Sequence, residues 1–75
     1  MIIVKFKQCL EDKERLDDKK ISLEEVAIQS GIGRATLTRI VNKIGYNAEL
    51  NVVDKLCDYF DCEIADLLHR VKKTR

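Results

Sequence analysis

Seventy-five residues with 45% hydrophobic and 36% charged side chains make one globular domain, one that buries about 60% of its unfolded-chain surface. A formal net charge of +1 excludes a protein that coats nucleic acid by bulk charge, and three cysteines exclude a fully paired disulfide scaffold. No Pro, no Trp and only three Gly, with abundant Leu, Lys, Glu and Asp, favour an all-helical fold.

Residues 1–4 read MIIV, a short β-like arm and the longest apolar run. It is too short for a membrane span or a signal core, so a cytoplasmic protein with no membrane association is expected. From Lys5 to about Asp18 a first helix is predicted, with Phe6, Cys9, Leu10 and Leu16 at helical spacing. Its far end, EDKERLDDKK, is a solvated face with Glu11–Arg15 and Lys13–Asp17 at i,i+4.

Ser22 opens a second helix, and S-L-E-E forms a capping box with Glu25. Leu23, Val26 and Ala27 face inward. Ser30-Gly31 ends that helix, because Gly takes the left-handed conformation without a Cβ penalty. Gly33 caps a third helix that runs to about Lys43 and is stopped by Gly45. On a wheel of about 100° per residue, Ile40, Val41 and Ile44 lie within about 60° of Leu37, while Ala35, Arg39 and Asn42 point away. Asn47 or Asn51 is expected to cap a fourth helix burying Leu50, Val53, Leu56, Cys57 and Phe60. A fifth is expected from about Glu63 to Val71, burying Ile64, Leu67, Leu68 and Val71. Residues 1–75 therefore read as a single domain.

Charge is distributed unevenly. Val26 to Ala48 contains no Asp or Glu but carries Arg34, Arg39 and Lys43, so a neutral chain can still present a local footprint to phosphate. The third helix thus anchors by one apolar stripe and offers a basic, slim-stemmed face outward. With small Ala27 at the crossing and Gly31 in the turn, the geometry is a helix-turn-helix, whose second helix enters the DNA major groove.

Ala27, Gly31, Ile32, Leu37 and Ile40 resemble the apolar and glycine skeleton of the Cro and phage-repressor helix-turn-helix family. LNVVDKLCDYFDCEIADLL is similar to that family's fourth and fifth helices, and together these stretches span residues 21–69. The resemblance implies a five-helix, lambda-repressor-like all-α domain, here with a short N-terminal β-like arm. It implies a sequence-specific regulator of transcription, a repressor, in which helix 34–43 enters the major groove. By matching position, Arg34, Ala35, Thr38 and Arg39 fall where the family reads base edges. Their chemistry agrees, since Arg pairs with guanine, Thr bonds several bases and Ala meets a thymine methyl. Ser22, Asn42, Lys43 and Tyr46 are placed for phosphate. The chain departs from the pattern at Leu23, where the family often has Gln, at Gly33, where Ser is common, and in a longer span between Leu10 and Ile21.

Other chemistries find little support. Cys57-x4-Cys62 with Cys9 and His69 lacks a metal-ligand pattern, and free Cys on an apolar face behaves as a small hydrophobe. His69 has no acid–base partner fixed by spacing, and GIG lacks the Lys of a phosphate loop. No enzyme activity, cofactor or metal is expected. The expected partner is a roughly palindromic double-stranded operator, bound as a homodimer through the arm. The alternative is an antitoxin or adaptor that uses the same fold to bind a protein, with the arm adding to a partner's sheet.

Overall fold

The computed structural model describes residues 1–72. In chain order these form β1 (Ile2–Val4), α1 (Phe6–Asp17), α2 (Leu23–Ser30), α3 (Arg34–Asn42), α4 (Leu50–Phe60), α5 (Ile64–Leu67) and β2 (Leu68–Arg70). Each helix sends at least one side chain to a shared core of Phe6, Ile21, Val26, Ile32, Leu37, Ile40, Val53, Leu56 and Leu67. The expected five-helix domain is what forms, with α1 packed on α3, α4 and α5, and α2 on α3 and α4.

The arm is a strand, and its partner lies in the same chain. β1 pairs antiparallel with β2, with Ile2 opposite Arg70, Ile3 opposite His69 and Val4 opposite Leu68. Val71 N–H donates to Met1 O at 2.7 Å, and the Met1 amino group donates to Val71 O at 3.2 Å. This pairing corrects the fifth helix, expected to reach Val71. It stops at Leu67, because the ladder takes the backbone groups of Leu68–Arg70, and Leu67 O accepts from Lys5 N–H at 2.7 Å. Val71, expected in the core, is exposed in consequence, and so is Ile64, which opens α5.

Three other apolar side chains leave the core. Leu16 is 86% exposed, in the last turn of α1. There Arg15 pairs with Asp12 rather than Glu11, while Lys13–Asp17 forms at 3.5 Å. Ile44 is 76% exposed: α3 ends at Asn42 and Lys43 is already extended, so the helical wheel does not reach it. Leu50 is 84% exposed, standing about 120° from Leu56 around α4. Neither Asn47 nor Asn51 caps that helix; Glu49 holds the cap position without a side-chain bond.

α1 stops at Asp18, which is left-handed at φ +53°. The chain returns through Lys19 and Lys20, and Ile21 N–H donates to Glu14 Oε2 at 2.8 Å. That bond ties the longer first corner to its own helix and delivers Ile21 to the core.

Candidate nucleic-acid interface

The turn between α2 and α3 is built from local chemistry. Ser22 Oγ accepts from Glu25 N–H at 3.1 Å at the start of α2. The reciprocal half of the capping box is replaced, since the Glu25 carboxylate meets Lys19 Nζ at 3.2 Å. At the other end Gly31 sits at φ +77° and its N–H donates to Ala27 O at 3.0 Å, a left-handed ending that suits a residue without Cβ. Ile32 is buried and its N–H donates to Ser30 Oγ, which pins the middle of the turn. Gly33 follows in extended conformation and caps α3, with Leu37 N–H donating to its carbonyl at 3.1 Å. Half-buried Ala27 leaves room where α2 and α3 pack.

α3 is two-sided. Leu37 and Ile40 are buried, Thr36, Thr38 and Val41 are half-buried, and Arg34, Ala35, Arg39 and Asn42 face solvent. Thr38 Oγ1 donates to Arg34 O at 3.0 Å, so its proton is used within the helix while its lone pairs remain free to accept. Lys43 is exposed at the end of α3. Tyr46 is half-buried against the core, in a turn closed by its N–H to Lys43 O at 3.1 Å.

Electrostatics sharpen the contrast. Among the described residues the ion pairs are Lys13–Asp17, Arg15–Asp12 and Lys19–Glu25, all before the acid-free stretch. Arg34 stands in the first turn of α3 with no acid beside it, although that end already carries the positive pole of the helix. Ser22 sits differently. Its hydroxyl already accepts a backbone bond, and Glu24 and Glu25 follow it.

Two residues join this region that sequence reasoning passed over. A groove of about 340 Å³ between the start of α1 and the loop after α3 is lined by Lys5 and Lys7 together with Lys43, Ile3 and Ile44. Lys5 and Lys7 are remote from Lys43 in the chain, so no charge window along the sequence reveals the cluster.

A family model for the Cro/C1-type helix-turn-helix DNA-binding domain matches residues 13–73. The chain belongs to that family. Among curated proteins none matches it. As a Cro/C1-type domain the protein is a DNA-binding transcription regulator, and α2 and α3 are its helix-turn-helix. No helix among the described residues is long and apolar enough to cross a membrane.

Proposed function

We propose that α3 lies in the major groove of double-stranded DNA and that the protein represses transcription by occupying its operator. The observation that carries this reading is the outward face of α3, where Arg34, Ala35 and Arg39 are exposed in a stretch without an acid. Arg34 and Arg39 pair with guanine O6 and N7, and Ala35 meets a thymine methyl. Thr38 acts as acceptor, from adenine N6 or cytosine N4, because its own proton goes to Arg34 O. Asn42, Lys43 and Tyr46 hold the backbone at the far end of α3. Ser22 reaches phosphate as a donor, its oxygen already engaged by Glu25 N–H.

The protein binds as a homodimer, because one recognition helix reads too few base pairs for an operator. Among the described residues β1 has a strand on one edge only. Met1 packs beside Gly45, next to exposed Ile44, and Ile2 is also exposed, so this end of the fold offers an apolar contact for a second copy. Half-sites then lie about 34 Å apart, one turn of DNA.

Selection from a pool of random duplexes, followed by sedimentation of the complex, tests the reading. The expected outcome is an enriched inverted repeat bound by two chains, with repression of a reporter that carries the site. Failure to enrich any sequence contradicts base readout, and a 1:1 complex on a single half-site removes the dimer.

A further inference from the structure

The three cysteines lie far apart in the chain but meet at one place in the fold. Cys57 and Cys62 are brought together by the way α4 ends. Asp61 is left-handed at φ +53°, its N–H donates to Asp58 O at 3.3 Å, and Cys62 N–H donates to Cys57 O at 3.0 Å. These are the paired bonds of a Schellman ending, in which the side chains at the two ends of the longer bond come into contact. Cys9 arrives from α1, its thiol donating to Asp66 O at 3.7 Å. Cys62 follows directly on that turn, and its side chain neighbours those of both other cysteines.

All three are half-buried free thiols. Cys9 and Cys62 also line an open cleft of about 460 Å³ between α1 and the α4–α5 turn, with Lys5, Asp12, Phe60 and Asp66. Cys57 does not line it. Among the described residues no three His, Cys, Asp or Glu side chains are arranged to hold a metal ion.

We propose that Cys9 and Cys62 form a thiol–disulfide exchange pair whose oxidant is a low-molecular-weight disulfide entering this cleft. The Cys62 thiolate attacks one sulfur of the small disulfide, whose S–S bond breaks and releases one small thiolate. The Cys9 thiolate then attacks the Cys62 sulfur and expels the second. The two protein thiols lose two electrons and two protons; the small disulfide gains both and leaves as two thiols. Cys57 stays reduced beneath the bond. The bond joins α1 to the α4–α5 turn and encloses α2, α3 and α4 in one covalent loop, which restricts the unfolded chain.

Burial pushes all three thiols above their ordinary value. Cys9 also faces Asp12 on its own helix, Lys5 just before that helix and Asp66 on α5, while Cys62 faces Cys9, Cys57 and Asp66. Only the thiolate attacks, so exchange is slow at pH 7 and accelerates about tenfold per pH unit below the thiol pKa.

The test incubates the reduced full chain with glutathione disulfide, followed by acid quenching, intact mass and peptide mapping. The expected product is about 2 Da lighter, carries a Cys9–Cys62 linkage and melts about 10–30 °C higher. The same linkage forms in Cys57→Ser, and Cys62→Ser yields mixed disulfides only. Mapping of the wild type decides the partner even where a variant folds poorly. A bond to Cys57 in place of Cys9, a bridge that persists in Cys62→Ser, or mixed disulfides alone in the wild type overturns the proposal.

Discussion

The two helices of the helix-turn-helix begin in opposite ways. α2 opens with a Ser22 hydroxyl on the Glu25 N–H, two acids in its first turn and Lys19 bound to one of them. α3 opens on Gly33, with no side-chain cap, no acid and Arg34 at its positive pole. Gly in place of a hydroxyl cap costs a few tenths of a kcal/mol, and a charge of the wrong sign near a helix end about 0.3–1 kcal/mol. Burial of Leu37 and Ile40 contributes about 1.5–3 kcal/mol each, so packing holds α3 in place despite its poor start. α2 follows the local rules of helix stability, and α3 sets them aside on the face proposed to read DNA. Local rules are most often broken at functional sites.

The largest effect falls on what holds α3. Leu37→Ala should destabilise the domain by about 2–5 kcal/mol in urea denaturation, since Leu37 is fully buried. A loss below about 1 kcal/mol would mean that α3 is not held by its stripe, and the contrast with α2 would collapse.

The turn between the two helices comes next. Gly31 stands at φ +77°, and a Cβ there would meet no atom within 4 Å. Gly31→Val should therefore cost about 1–3 kcal/mol through backbone strain alone. Thermal melting at several salt concentrations checks this, and an unchanged midpoint would place the turn elsewhere.

The smallest effects compare the two caps directly. Ser22→Ala should cost about 1 kcal/mol, whereas Gly33→Ser should stabilise by a few tenths of a kcal/mol by giving α3 the cap it lacks. Equal and opposite shifts in paired denaturation curves are not expected, because Gly is itself an acceptable cap. A destabilised Gly33→Ser would show that this position is constrained by more than capping.

What the sequence made legible follows the range of the interactions. Ser22, Gly31 and Gly33 were readable because caps depend on neighbours within a few residues. Leu37, Ile40, Val53, Leu56 and Leu67 were readable because helical periodicity survives small errors in boundaries. Ile44, Leu50 and Ile64 were misplaced because they lie at or just beyond helix ends, where the wheel does not apply. β2 was hidden by a distant partner: Leu68 to Arg70 carry a helix-like apolar pattern, and only pairing with Ile2–Val4 makes them a strand. On the interface, the outward set of Ala35, Arg39 and Asn42 followed from the wheel, and Arg34 from the acid-free stretch and the position it matches in the family. The Thr38 bond to Arg34 O, and the approach of Lys5 and Lys7 to Lys43, required the folded chain. In the sequence the three cysteines group only as a metal set, which their spacing rejects; their convergence likewise required the folded chain.

The most direct test of the recognition face is the affinity of wild type and Arg34→Ala for the selected operator, measured beside their melting temperatures. Arg34 is exposed, and no ion pair of it is found among the described residues, so its loss should leave stability unchanged or slightly raised. Operator binding should weaken by about 1–3 kcal/mol, with preference relaxed at one base pair and unrelated duplexes affected far less. Equal affinity of the two proteins for the operator would contradict the assignment of α3 as the reading helix.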